Sequence, residues 1–196
     1  MDPEQTLASI TLAPYIIKAM ALIGVCRKAG SNMFRHQLAT MTILLDYKLI
    51  DPILLKAAVI HDLFEDAPGM PGVSRAEIER LDCDGPEVYR LVMEVTQSSV
   101  NGVKESKSAY LRRIMESGSD RAKILKLADR ISNLYALGFV HEEAFVRKFL
   151  RETREWVLPY AEAINKNMHR EISDLLADRE QKVESRLQQK SESIPN

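Results

Sequence analysis

The stretch "DPILLKAAVIHDLFED" (residues 51–66) constrains the fold more than any other. Asp51 stands where an N-cap belongs, and Pro52 takes the first helical position, where its missing N–H costs nothing. From Ile53 to Ile60 the residues are apolar apart from Lys56, the mark of a helix built for a core. His61, Asp62, Glu65 and Asp66 then arrive together, just before a Pro68-Gly69 stop. A lone buried carboxylate costs several kcal/mol unless something compensates it, and a cation is a common compensator. The rest of the chain has to supply both the packing and the missing partners.

The packing is helical throughout. "APYIIKAMALIGVCRKAG" (13–30) reads as a helix with Arg27 and Lys28 in a basic last turn and Gly30 as its stop. "RHQLATMTILLDYKLI" (35–50) follows, and Ser74 caps "RAEIERL" after a Pro/Gly loop. "PEVYRLVMEVTQ" (86–97) is a further helix, and Ser98 to Ser106 is the most loop-like part of the interior. "SAYLRRIMES" and "DRAKILKLADRISNLYALGF" (120–139), the second capped by Asp120, resume the helical period. A last tract from about Glu142 to Lys190 bends at Pro159. No alternating strand stands out. The expected fold is all-α, one helical-bundle domain over residues 1–190 with a disordered tail at 191–196. The long C-terminal helical tract is the surface it would offer a partner subunit in a homo-oligomer.

Composition narrows the partners. With 27 basic against 28 acidic residues, the chain carries no electrostatic footprint for nucleic acid. No run approaches the ~18 apolar residues of a membrane span. The opening "MDPEQTLASI" is no signal peptide. Cys26 and Cys83 make neither a disulfide framework nor a C-x-x-C pair, which fits a reducing cytoplasm. A soluble, cytoplasmic protein with no nucleic-acid or membrane partner is expected.

Two distant features answer the ionisable helix end. On a helix, His61 and Glu65 lie four apart, as do Asp62 and Asp66, so two neighbouring faces are ionisable. In "DRAKILKLADRISNL", Asp129 falls beside Leu125, Asn133 and Ala136, away from the Lys123, Lys126 and Arg130 edge. An acid and an amide on an inward face need partners. "FRHQLAT" places His36 near a helix start, followed by Leu38, Met41 and Leu45 at core spacing. Two histidines and two aspartates make a mixed N/O ligand set, suited to Mn, Fe, Co or Zn rather than Mg or Ca.

That order, His then His-Asp then Asp, resembles the HD superfamily of metal-dependent phosphohydrolases. Within it the chain is most similar to the hydrolase domain of the RelA/SpoT family. His-Asp is followed after two residues by Glu-Asp, "RKAG" precedes the first histidine, and "LKLADRISNL" and "RETREWVLPYA" match further family segments. The similarity covers about residues 15–165. It implies a single HD domain that hydrolyses the 3′-pyrophosphate of guanosine tetra- and pentaphosphate (ppGpp, pppGpp), as the small stand-alone alarmone hydrolases do. It also implies Mn²⁺ held by His36, His61, Asp62 and Asp129. Glu65 and Asp66 would serve the attacking water, Arg27 would pack on the base, Lys28 would line the pocket and Asn133 would contact the nucleoside. The chain departs from the family at Asn32 and Met33, where Pro-Tyr is usual, and at Ala136, where threonine is common. These changes touch the nucleoside pocket and leave the ligand set intact.

The chemistry fits the residue types. Phosphoryl hydrolysis needs a nucleophile at neutral pH and charge neutralisation, and a bound divalent metal supplies both. Glu65 or Asp66 would take the proton from the water, and adjacent acids near a cation titrate apart. Arg27 and Lys28 have a simpler local reading as helix-capping cations, reversed by their spacing to His36. Lys104, Lys107, Arg112, Arg113 and Lys123 read as a solvated face. His141 and His169 read as surface residues, Trp156 and Tyr160 as packing, and Met33 as core or pocket wall. Two alternatives stay open: a hydrolase of a related nucleotide (an adenosine alarmone or an NADPH-type phosphate), and a non-catalytic nucleotide-binding scaffold. The complete HD and Glu-Asp set favours catalysis.

Overall fold

The computed structural model describes residues 2–140 and 142–192, which are all-α apart from one hairpin. A short α1 (Pro3–Ser9) leads to α2 (Ala13–Ala19), a 3-10 turn (Met20–Leu22) and a loop ending at α3 (Met33–Asp46). Then come α4 (Pro52–Ile60), α5 (Leu63–Asp66), α6 (Arg75–Glu79) and α7 (Gly85–Val95). The hairpin of β1 (Ser99–Val100) and β2 (Val103–Lys104) precedes α8 (Lys107–Arg112), which widens into a π turn (Arg113–Ser117). Last are α9 (Asp120–Leu137), α10 (Glu143–Trp156), α11 (Leu158–Ile164) and α12 (Lys166–Glu192). Among these residues no helix is long and apolar enough to cross a membrane.

α4 forms as its sequence requires. Asp51 Oδ1 accepts from the Leu54 N–H at 2.8 Å, a cap worth about 1 kcal/mol, and every residue from Leu54 to Ile60 is buried. Lys56 is held inside by Asp82 at 2.7 Å and Asp84 at 2.6 Å, while the Tyr15 hydroxyl donates to Asp82. That buried cluster ties α2 and α4 to the link between α6 and α7. α9 lies between α3 and α12, with α7 and the π turn also against it.

The C-terminal end of α9 is closed from outside. Arg179 on α12 donates to Leu134 O at 2.8 Å and to Tyr135 O at 3.2 Å. Arg186 donates to Val140 O at 2.7 Å and Gly138 O at 3.2 Å. Two long side chains thereby donate to carbonyls in the last turn of α9 and just beyond it, where helical partners run out.

The structure corrects several boundaries. The expected 13–30 helix stops early: Gly24 turns left-handed (φ 84°), the Met33 N–H bonds Val25 O, and Cys26 bridges to Asn32. Arg27 and Lys28 therefore sit in a loop, not in a helical last turn. The 51–66 helix breaks at His61–Asp62, where Asp62 has φ −99° and ψ 3°. The loop-like 98–106 stretch holds the hairpin, whose Asn101 and Gly102 both have positive φ as a type I′ turn demands. Ser119, not Asp120, caps α9, its hydroxyl accepting from Ala122 N. The C-terminal tract breaks at Val157 and again at Asn165, whose Oδ1 caps α12. α12 runs to Glu192; residues 193–196 of the expected tail, and His141, lie outside the described residues.

Candidate metal centre and cavity

The break at His61 aims the site. His61 Nδ1–H donates back to Ala58 O at 2.8 Å, while the Asp62 N–H leaves the helical ladder for Gln37 Oε1 at 3.4 Å. A continuous helix would have kept His61 and Asp62 about 100° apart. The kink instead brings His61 Nε2 to 3.1 Å from Asp62 Oδ2. From α3, His36 Nε2 lies 3.2 Å from His61 Nε2 and 3.3 Å from Asp62 Oδ2. From α9, Asp129 Oδ1 lies 3.0 Å from His36 Nε2 and 3.7 Å from His61 Nε2. The four side chains named from sequence thus meet at one point, and His36, His61 and Asp129 are all buried.

These donors fit a divalent cation. Ligand atoms about 2.1 Å from a common centre stand about 3.0–3.4 Å from one another in octahedral or tetrahedral arrangements, close to the separations here. Each histidine is oriented from behind, His61 by the Ala58 carbonyl and His36 by a hydrogen bond between Nδ1 and Ser132 Oγ at 2.9 Å. Both Nε2 atoms therefore face inward, as outer partners of metal-binding histidines arrange. Gln37 Nε2 steadies Asp62 Oδ2 at 3.3 Å. Burial opposes charge on Asp129, but Lys126 at 2.8 Å and the two histidines hold its carboxyl well below the usual range. Burial likewise opposes charge on His61, and the Asp62 and Asp129 carboxylates outweigh it, holding the imidazolium up to about 10.

A proton release on metal loading follows. At pH 7 His61 carries a proton that a ligating imidazole cannot keep, so each divalent ion bound should expel about one proton. Affinity should then weaken as pH falls below about 10. Calorimetric titration with Mn²⁺ in two buffers of different ionisation enthalpy reads the proton count directly. A count of zero at pH 7 would remove His61 from the ligand set.

The centre forms one wall of a cavity of about 360 Å³. Glu65 and Asp66 lie along it, with Glu65 Oε1 accepting from the Gln97 N–H at 2.7 Å. Asp66 is exposed at the mouth, and partial burial plus the charges of Asp62 and Glu65 push its carboxyl up to about 6. Arg27 and Lys28 reach the cavity from their loop, and Met33 is a wall. Arg27 donates to Asn133 Oδ1 at 2.5 Å, and Asn133 Nδ2 donates to the Asp129 main-chain oxygen at 2.9 Å.

Sequence reasoning missed part of the cavity. Lys126 and Arg130, assigned to an outer edge of α9, are 3% and 2% exposed and line the site. α10 supplies the cover, its Phe149 lying 4.3 Å from the Arg130 guanidinium, and a lysine three residues before an aspartate folds back onto it. Lys107, read as solvated, also lines the cavity with Tyr110. The other cations of that group do not: Arg113 pairs with Glu105, and Arg112 lies over Trp156.

A family model described as HD domain matches residues 14–162. The GTP pyrophosphokinase rsh of Brucella abortus (strain 2308) is 30% identical over 155 residues, covering 76% of this chain and 20% of that protein. The bifunctional (p)ppGpp synthase/hydrolase SpoT of Escherichia coli (strain K12) is 31% identical over 164 residues, 81% of this chain and 22% of that protein. The chain thus spans about a fifth of the length of these curated relatives. It superimposes on the solved structure of a metazoan orthologue of SpoT that hydrolyses ppGpp, with a TM-score of 0.67 and 26% identity. That match covers 85% of this chain and 93% of the other.

Proposed function

The chain belongs to the HD-domain family, and on that footing we propose that it hydrolyses the 3′-diphosphate of guanosine tetra- or pentaphosphate. One observation carries the reading: His36, His61, Asp62 and Asp129 converge on a cavity that also holds Glu65, Asp66 and several cations. The similarity to SpoT and to the metazoan hydrolase supports the substrate. The two cysteines are both free, in keeping with a cytoplasmic enzyme.

In this reading the four converging side chains hold one divalent ion, by proposal Mn²⁺. When bound, it lowers the pKa of a coordinated water and neutralises charge on the phosphoryl oxygens. Asp66 takes the proton of the attacking water, and Glu65, fixed by Gln97, orients it. The water oxygen bonds to the phosphorus next to the ribose, the bond from that phosphorus to O3′ breaks, and the proton taken up by Asp66 passes to O3′, which leaves as a hydroxyl. The products are guanosine 5′-diphosphate or triphosphate and inorganic diphosphate. Arg27 stacks on the base, with Asn133 and Lys28 beside the nucleoside. Because Asn133 also binds Asp129, the nucleoside end and the metal end are mechanically joined.

The direct test is incubation with Mn²⁺ and a panel of guanosine and adenosine polyphosphates, with products identified by mass. Diphosphate released from ppGpp, abolished by chelator and restored by Mn²⁺, is the expected outcome. Undiminished turnover after exhaustive chelation, or no turnover of any nucleotide, sinks the reading. An adenosine counterpart is the second reading, favoured by Ala136, which lines an apolar groove sharing Arg27 with the cavity.

Arg27→Ala should chiefly raise KM, since stacking is made equally in ground and transition states. A stacked base is worth about 1–3 kcal/mol, or roughly ten- to a hundredfold. Steady-state kinetics check this, and an unchanged KM for every nucleotide tried would separate Arg27 from the base.

A further inference from the structure

The four side chains of the centre are not held equally. The side chains of His36 and His61 are 1% exposed and that of Asp129 is 10% exposed, but that of Asp62 is 21% exposed and stands at the break between α4 and α5. Packing therefore restrains Asp62 least. Its main chain is in the same position. The carbonyl four residues back, Ala58 O, accepts from His61 Nδ1–H, so the Asp62 N–H has lost its helical acceptor.

Gln37 answers both needs. It is fully buried on α3, next to His36. Its Oε1 accepts from the Asp62 N–H at 3.4 Å, and its Nε2 donates to Asp62 Oδ2 at 3.3 Å. The two contacts fix which way the amide faces, since turning it over would set donor against donor and oxygen against carboxylate. Oδ2 is also the oxygen that faces His61 Nε2 at 3.1 Å and His36 Nε2 at 3.3 Å. The carboxylate cannot rotate away from the histidines without breaking its bond to Gln37. On the main-chain side, Asp62 O accepts from the N–H groups of Glu65 at 3.1 Å and Asp66 at 3.0 Å. The turn that carries the acid pair thus starts from the residue that Gln37 holds. Outside the centre itself, no other side chain among the described residues hydrogen-bonds Asp62.

We propose that Gln37 is a positioning residue of the centre, a single amide that turns the Asp62 carboxylate toward the ion and pins the break from which α5 begins. The inference rests on the reading that His36, His61, Asp62 and Asp129 hold a divalent cation. It does not depend on which nucleotide is hydrolysed.

Calorimetry with Mn²⁺ alone reads this without turnover. Gln37→Met keeps the length of the side chain and removes both bonds, whereas Gln37→Asn keeps the amide and withdraws it by one methylene. Each should bind Mn²⁺ about 10- to 100-fold more weakly than the parent, the usual loss when the outer partner of a ligand is removed. With Co²⁺ in place of Mn²⁺, visible absorption reports ligand geometry, and both variants should shift its bands. Leu44→Val is the control, a buried position seven residues on along the same face of α3. It should lower stability while keeping parental affinity and an unchanged Co²⁺ spectrum. Gln37 variants that bind within about twofold of the parent, with its spectrum, overturn the proposal. So does a Leu44→Val protein that loses affinity and shifts the bands equally, because the effect is then one of packing. A parent that binds no divalent ion overturns the metal reading and takes Gln37 with it, whereas failure to hydrolyse ppGpp leaves both measurements as they are.

Discussion

Asp129→Ala is expected to cost the protein its metal and much of its stability together. The carboxylate has two tasks at once, Oδ1 toward His36 and His61 and Oδ2 on Lys126 at 2.8 Å. Without it, Lys126 is an ammonium 3% exposed whose one remaining hydrogen-bond partner among the described residues is the Tyr110 hydroxyl. Stranding one partner of a buried ion pair costs about 3–5 kcal/mol. Urea denaturation in chelator at pH 7 should show a loss of that size. Adding Lys126→Met should recover part of it, because the stranded charge is then gone. Metal affinity should fall at least about 100-fold, more than the loss of an outer-sphere partner brings, and turnover should vanish with it. A variant that binds Mn²⁺ with parental affinity takes Asp129 out of the ligand set.

The second large effect concerns the acid pair beside the centre. Asp66→Asn keeps shape and removes a proton acceptor, so turnover should drop by about 10²–10⁴-fold with metal content unchanged. Glu65→Gln should also lower turnover, and it weakens the bond from Gln97 that anchors the 98–105 hairpin strands. The structure separates the two acids: Glu65 accepts a main-chain N–H, whereas Asp66 is free of such a bond and sits at about 6. A carboxyl raised in the folded state penalises folding when ionised. That penalty is absent below pH 3.8 and complete above about pH 6. Asp66→Asn should therefore raise the Tm of the metal-free protein at pH 7.5 and leave it unchanged at pH 3.5. Loss of metal in either amide variant would make that residue a ligand and undo the division of labour.

What could be read beforehand depended on the range of the cause. Asp51 and Pro52 start α4 by local chemistry, and the buried run behind them is visible as composition. The meeting of His36, His61, Asp62 and Asp129 was legible as a pattern of residue types. Its geometry was not, because the helix breaks at His61 and a regular four-residue spacing cannot describe the turn that follows. Gly24 was a readable signal of positive φ that helical periodicity masked, and the Asn101-Gly102 pair, inside the stretch read as a loop, was a readable signal of a hairpin turn. Lys107, Lys126 and Arg130 were out of reach for a different reason. A helical wheel separates inward from outward around one axis, and these cations are covered by neighbouring elements, with Phe149 of α10 over Arg130.

The arginines that close α9 also set an order in time. Arg179 and Arg186 are made 44 to 48 residues after the carbonyls they bind. At ordinary translation speeds of about 5–20 residues per second, the 45-residue gap alone is a delay of roughly 2–9 s. A helix end frays and re-forms within about a microsecond, so through that interval the last turn of α9 opens and closes freely. That turn carries Ala136 and abuts Asn133, the residue joining Arg27 to Asp129. A nascent chain can thus display His36, His61, Asp62 and Asp129 while the turn that carries Ala136 still lacks its docked cover. The contacts that close the end of α9 arrive only with α12.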